Sequence, residues 1–261
     1  MESAPSGTSS LAGRIAVVSG ASSPGGIGRA IALRFASEGA AVLLVAEGTQ
    51  EQLAEVKALC AAQPKAGRIE SAQIDLGTDD GPGEMIATAE RLFGRVDVLV
   101  NNAAVRATMP FGTYTRDQFD RVVAVNLAAP FFASQAVIPL MRRQGGGRII
   151  HIASQLGHVT YDGRALYGLT KAALIHLTKS MAHELAKDGI LVNAISPGPI
   201  STPAVADRPA AELEARFGPY LPGGRLGRPE EIAETALFLA TTAPAFLQGH
   251  SVLVDGGYTN H

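Results

Sequence analysis

Tyr167 and Lys171 stand four residues apart in Tyr167-Gly168-Leu169-Thr170-Lys171, and Ser154 precedes the tyrosine by thirteen. On a helix, positions i and i+4 share a face, so the lysine ammonium would sit beside the tyrosine phenol. A neighbouring positive charge favours phenolate and lowers a tyrosine pKa from its ordinary value of about 10. A phenol tuned in this way can give or take a proton near neutral pH. The Tyr/Lys spacing alone arises by chance about one time in ten in a chain of this composition. Ser154 alone would read as a turn residue at a strand end. The surrounding elements therefore decide what the three residues mean.

Apolar, β-branched runs alternate with longer amphipathic segments along the whole chain. Strands are expected at 14–19, 41–45, 68–74, 96–101, 148–153, 191–195 and Ser251–Val254. Most are nearly continuous apolar runs, as in strands covered on both faces of a parallel sheet. Helices are expected at Ile27–Ser37, 51–61, 83–93, Arg116–Arg143, 164–187 and 229–241, the last opening on Pro229 followed by Glu230 and Glu231. The repeated β–α order predicts an α/β fold: one doubly wound, Rossmann-type domain with a seven-stranded parallel sheet and helices on both faces.

Composition narrows the function classes. The 261 residues are 46% hydrophobic, enough for a large core, and the net charge of −2 gives no basic field for nucleic acid. The single cysteine, Cys60, excludes an internal disulfide and a cysteine-rich metal site and fits a reducing, cytoplasmic setting. No metal site is expected. Residues 1–12 begin with a small, polar stretch and read as a disordered tail, neither a secretory signal nor a membrane span, ahead of a catalytic domain over 13–261. The segment 196–227, rich in proline and glycine and directly after a strand, reads as a substrate lid.

The first strand runs into Ser19-Gly20-Ala21-Ser22-Ser23-Pro24-Gly25-Gly26-Ile27-Gly28. Glycines let a backbone approach a pyrophosphate, and the helix opening near Ile27 offers free N–H groups to the anion. Gly20, Ser22, Ser23, Gly26, Ile27 and Gly28 are the expected phosphate-side residues. The end of the second strand selects the cofactor, because an acid there binds a ribose 2′-OH and a base binds a 2′-phosphate. Ala46 and Glu47 occupy it. That combination leaves NAD and NADP both open, with a slight lean to NAD.

The glycine stretch resembles that of the compact short-chain dehydrogenase/reductase family, with Ser19 in place of the usual threonine and two extra residues in the turn. Further segments resemble the family in order along the chain. They are Asp75-Leu76, which the resemblance places at the adenine, and Asn101-Asn102-Ala103-Ala104, with Ala104 in place of the usual glycine. Pro197-Gly198-Pro199-Ile200-Ser201-Thr202 and the C-terminal Val254-Asp255-Gly256-Gly257 follow the same pattern. The resemblance implies cofactor contacts from Asn102, Ala103, Ala104, Pro197, Gly198, Ile200 and Thr202, as well as Tyr167 and Lys171. It implies a catalytic tetrad of Asn126, Ser154, Tyr167 and Lys171. In it Tyr167 would exchange a proton with the substrate oxygen, which Ser154 would also hold. Lys171 would tune the phenol and bind the nicotinamide ribose, and Asn126 would position a water beside Lys171.

The implied reaction is reversible hydride transfer between a nicotinamide cofactor and a carbonyl or secondary alcohol. The three-residue gap between tyrosine and lysine is unlike the six-residue gap of the superfamily's enoyl reductases. Ser154, Gln155, His158, Tyr161 and Tyr167 are the expected substrate contacts. They leave a 3-oxoacyl thioester and a sugar or polyol both open. The rival reading is a non-catalytic dinucleotide-binding sensor or scaffold. The helices over Arg116–Arg143 and 164–187 carry apolar residues on several faces, and the resemblance implies that they form a dimer interface within a homotetramer. Neither a nucleic acid nor a membrane is expected as a partner.

Overall fold

The computed structural model describes residues 10–202 and 209–260. Most of the expected tail and residues 203–208 of the expected lid lie outside the described residues. Seven strands form one parallel sheet: β1 (Ile15–Ser19), β2 (Ala41–Ala46), β3 (Ile69–Gln73), β4 (Val98–Asn101), β5 (Gly147–Ile152), β6 (Ile190–Pro197) and β7 (Ser251–Val254). Their order is β3-β2-β1-β4-β5-β6-β7. The chain direction across the sheet reverses between β1 and β4, so the loops leaving these two strands diverge and open a crevice at their carboxyl ends.

Eight α-helices cover the sheet among the described residues: α1 (Ile27–Ser37), α2 (Gln50–Ala61), α3 (Gly81–Phe93), α4 (Arg116–Val123), α5 (Ala129–Arg143), α6 (Ala165–Leu185), α7 (Ala210–Phe217) and α8 (Pro229–Ala240). Strand residues alternate strictly between two apolar layers. Ala16, Val18, Val42 and Leu44 pack with Ile31 and Phe35 of α1, Val56 of α2 and Ile232 of α8. Val17, Leu43 and Val45 face the other way, onto Met85 of α3, Val137 and Met141 of α5, and Leu185 of α6. Burial on both faces is why the strands read as unbroken apolar runs.

The structure departs from the sequence expectations in three places. Leu11, assigned to the tail, is only 1% exposed; its N–H donates to the Glu38 carbonyl at 2.8 Å and its side chain joins the core. One apolar residue in a polar run carries too little periodic signal to find. The segment 196–227 is not uniformly irregular, for it contains α7 and a 3₁₀ turn at Gly218–Tyr220. Ala-Ala-Glu-Leu-Glu-Ala-Arg-Phe is made of good helix formers, masked by the flanking prolines. The helix over Arg116–Arg143 is interrupted by a π-helical turn at Ala124–Ala128. It is long and apolar enough to cross a bilayer, yet Ala133, Val137, Leu140 and Met141 are spent on the core.

Ser19 fastens the two strands that flank the crevice. Its hydroxyl accepts the Asn102 N–H at 2.9 Å and the Ala103 N–H at 3.1 Å, while donating to the Val100 carbonyl. Asn102 returns the tie, donating from Nδ2 to the carbonyls of Ser19 at 2.8 Å and Gly20 at 3.1 Å. A serine therefore carries out this fastening with its hydroxyl alone. Ser19→Ala strands two backbone donors and should lower unfolding free energy by about 2 kcal/mol, measured by urea denaturation, with Ser19→Thr near wild type. An alanine variant with an unshifted midpoint would show that the tie is dispensable.

Candidate active site

A cleft of about 570 Å³ lies over the carboxyl ends of the strands, and every cofactor-side residue named from the sequence lines it. Its floor depends on close backbone approach. Gly20 adopts φ +66°, and a Cβ there would stand 2.8 Å from the Ala103 Cα; a Cβ on Gly28 would stand 2.4 Å from Asn102 Nδ2 and 2.5 Å from the Gly20 carbonyl oxygen. The two extra residues are absorbed in a turn closed by the Gly26 N–H donating to the Ser23 carbonyl at 3.0 Å, with Gly25 at φ +64°. The start of α1 thus stays where an anion can meet it. No side chain caps it, and no acid sits in its first turn. A pyrophosphate fits these free donors and the positive end of the helix dipole.

At one end of the cleft, Ala46, Glu47, Asp75 and Leu76 form a half-polar wall. Arg121 of α4 reaches both carboxylates, at 2.5 Å from Glu47 Oε2 and 2.8 Å from Asp75 Oδ1. Burial raises the Asp75 carboxyl, but the Gly77 N–H and Arg121 outweigh it and hold the group below its ordinary value. At the other end, Pro197, Gly198 and Ile200 lead to Thr202, whose buried Oγ1 has no hydrogen-bond partner. A buried hydroxyl without a partner fits a bound carboxamide there.

Ser154, Tyr167 and Lys171 meet between these ends. The Ser154 hydroxyl accepts the Leu156 N–H at 3.1 Å, which fixes its rotamer. Lys171 is 2% exposed, donates to the Ile152 carbonyl at 2.8 Å and stands 5.6 Å from the Tyr167 ring centre. Burial, reinforced by Arg106, pushes the Lys171 ammonium down to about 7. Burial also raises the Tyr167 phenol, against the opposing pull of Arg106, Ser154 and Arg164. The expectation that Lys171 lowers the phenol is therefore corrected for this state. A lysine discharged near neutrality bears no charge where a raised phenol would titrate, and Arg106 takes over that role.

Asn126 sits inside the π turn, a frequent mark of functional helices. It does not line the cleft. Its Oδ1 accepts the Val105 N–H at 2.8 Å, and its Nδ2 donates to the Val105 carbonyl at 3.0 Å and to Thr170 Oγ1 at 3.3 Å. Asn126 thereby fixes the loop that carries Arg106 and ties it to the tyrosine-bearing helix. Gln155 and Tyr161 line the cleft as expected. His158 is a correction, because its ring turns away to Ser196 Oγ at 3.1 Å and Ser251 Oγ at 3.5 Å. The buried Ser196 hydroxyl and the half-buried Ser251 hydroxyl take it up instead. Sequence reasoning missed Arg106, Arg121 and Tyr258, and anticipated Arg216 and Phe217 only as part of the lid over 196–227. Only Arg106 left a signal, as a base just beyond the carboxyl end of a central strand.

The same elements recur in known proteins. A family model described as "Enoyl-(Acyl carrier protein) reductase" matches residues 20–259. The 3-oxoacyl-[acyl-carrier-protein] reductase of Thermotoga maritima is 34% identical over 95% of this chain and 98% of its own length. The NAD-dependent glycerol dehydrogenase of Listeria innocua is 33% identical, covering 94% of each chain. A 7α-hydroxysteroid dehydrogenase solved with NADH and 7-oxo glycochenodeoxycholic acid superposes with a TM-score of 0.89 at 32% identity, over 95% of each chain. The chain belongs to the short-chain dehydrogenase/reductase family. It is an NAD(P)-dependent oxidoreductase acting on CH–OH groups. In this dehydrogenase/reductase the departures at Ser19, in the lengthened turn and at Ala104 leave the cleft of the fold open.

The buried lysine makes the cofactor-free dehydrogenase sensitive to pH. Lys171 keeps its proton up to about 10.5 in the unfolded chain but releases it at about 7 in the fold. Between those values the unfolded state binds more protons, so stability rises with pH across that window. Lys171→Met should abolish that rise, read as urea midpoints across the alkaline range. Parallel slopes for wild type and variant would refute the depressed lysine.

Proposed function

We propose that this enzyme catalyses reversible hydride transfer between a nicotinamide cofactor and a carbonyl or secondary alcohol, with Tyr167 as general acid and base. The observation that carries the reading is the placing of Tyr167 and Ser154 where the phosphate-side groove, the unpartnered Thr202 hydroxyl and the open substrate wall converge. Bound there, the nicotinamide supplies the hydride. In reduction, Tyr167 gives its phenolic proton to the carbonyl oxygen, which the Ser154 hydroxyl also holds as negative charge develops. In oxidation Tyr167 recovers that proton from the alcohol. Lys171, anchored on Ile152, is placed to hold the cofactor ribose, and Asn126 keeps the Val105 loop against the tyrosine helix. The three-residue Tyr167–Lys171 gap favours carbonyl chemistry over enoyl reduction, in keeping with the names of the relatives.

NAD is the preferred cofactor in this reading. The Glu47 carboxylate lines the adenosine end and would repel a 2′-phosphate. Nearby bases are committed elsewhere, Arg29 to Glu55 at 2.9 Å and Arg121 to both Glu47 and Asp75. We also propose a cytoplasmic homotetramer. Phe131, Phe132 and Leu169 lie exposed on α5 and α6, and Phe238, Phe246 and Leu253 lie exposed on α8, the loop after it and β7. A dimer of dimers requires two interfaces, and exposed apolar residues on these two sets of elements support them. Sedimentation equilibrium should give four chains per particle, and Phe131→Glu with Phe132→Glu should reduce this to dimers; a wild-type monomer would refute the assembly.

A panel of aldehydes, ketones and oxo acids assayed with NADH and NADPH tests the reaction. Tyr167→Phe should lower kcat/KM by about 10³-fold, and NADH should bind more tightly than NADPH. Equal rates for wild type and Tyr167→Phe would overturn the role of the phenol. Tighter NADPH binding would overturn the cofactor preference alone.

A further inference from the structure

The cleft is electrostatically divided. Among the described residues its only lining carboxylates, Glu47 and Asp75, belong to the adenosine end, where Arg121 neutralises them. The opposite wall, beyond Ser154 and Tyr167, carries Arg106, Arg164 and Arg216 together with the rings of Tyr161, Phe217 and Tyr258.

Two of these arginines are unlike most others in the chain. Arg14, Arg29, Arg34, Arg68, Arg95, Arg116, Arg121, Arg142, Arg143, Arg225 and Arg228 each pair with a carboxylate. Arg106 and Arg216 make no ion pair with any described residue. Arg216 is instead held by aromatic faces, its guanidinium carbon 4.5 Å from the Tyr161 ring centre and 5.3 Å from that of Phe217, and its buried Nε has no hydrogen-bond partner. Stacking fixes the plane of the fork while leaving its in-plane donors unused. Arg106 is held differently. The two hydrogen bonds between Asn126 and Val105 hold the adjoining backbone, and the Arg106 side chain lines the same cleft as Tyr167, where its charge pulls the phenol down.

Two guanidinium groups without a carboxylate partner among the described residues, in a cleft walled by aromatic rings, focus positive potential on whatever enters. A planar fork matches the oxygens of a carboxylate, and also those of a phosphate or sulfonate. We propose, resting on the dehydrogenase reading above, that the substrate is an oxo acid or the corresponding hydroxy acid, whose oxyanion is gripped by Arg106 and Arg216 while its carbonyl faces Tyr167. Arg106 lines the same cleft as Ser154 and Tyr167, so the anionic group lies within reach of the reacting carbonyl. A neutral polyol or an uncharged thioester would leave both guanidinium groups unmatched at the cost of their partial desolvation. Arg106 and Arg216 are then specificity-determining residues, and the aromatic wall covers the apolar part of the substrate.

Matched pairs test this: short 2-, 3- and 4-oxo acids against their amides, and dihydroxyacetone phosphate against dihydroxyacetone as the phosphate arm. In at least one pair the anionic member should be favoured by about 100-fold in kcat/KM. The arm that shows the preference distinguishes carboxylate from phosphate. Arg216→Gln and Arg106→Gln should each narrow that ratio by about 10-fold or more, mainly through KM for Arg216→Gln. Ratios near one in every pair, with turnover abolished by Tyr167→Phe, would overturn the anionic substrate and leave the dehydrogenase reading standing. Should no carbonyl in the panel turn over, calorimetric titration of the NADH-loaded enzyme with malonate and with inorganic phosphate still decides. Binding to wild type that is lost in the Arg106→Gln/Arg216→Gln double variant supports the site, and no binding or equal binding refutes it.

Discussion

Close packing of backbone at the switch between β1 and β4 is the constraint on which the cleft depends. Gly20, Gly28 and Asn102 approach so closely that neither glycine position has room for a methyl group. The ties from Ser19 and Asn102 hold that approach in place. Because the first helix begins against this junction, its free N–H groups are aimed by the sheet and not by the loop preceding it. Two additional turn residues can therefore be accommodated upstream without moving the anion-binding end. Loop length is variable here, but backbone proximity is not.

Electrostatics at the catalytic end follow from burial. A phenol and an ammonium withdrawn from water are both pushed toward their neutral forms, and Tyr167 and Lys171 show the two opposite shifts that this demands. Beneath them His151 is likewise driven to about 3 by burial, with Lys171 adding to the effect, and stays neutral beside Asn101. The remaining positive charge near the phenol comes from the cleft-lining arginines. In the proposed reading, proton transfer and substrate charge are governed by the same few groups, and the response to pH and the choice of substrate are coupled through Arg106.

Most of this architecture was legible in the sequence, for identifiable reasons. Strands buried on both faces leave unbroken apolar runs, and glycines forced by backbone contact leave a spaced signature, so the doubly wound parallel sheet and the phosphate-side wall could be read directly. The tyrosine and lysine were legible because a helix converts four-residue spacing into adjacency. What escaped depends on contacts between distant segments. Asn126 was named from the family resemblance, but its grip on Val105 could not be read from the sequence. Arg121 is one more helix arginine until Glu47 and Asp75 converge on it. His158 went astray because Ser196 and Ser251 come from other strands.

The π turn at Ala124–Ala128 divides one rod into two angular registers. Upstream, Arg121 points to the adenosine end; downstream, Val137 and Met141 point into the core. Each helical residue turns the chain by about 100°, so restoring regular α geometry while keeping every residue would swing everything beyond the turn by roughly that angle. Asn126 would leave Val105, or the core face would rotate outward. For this stretch the width of one turn matters more than most of its residues' identities, and the π turn acts as a correction of phase.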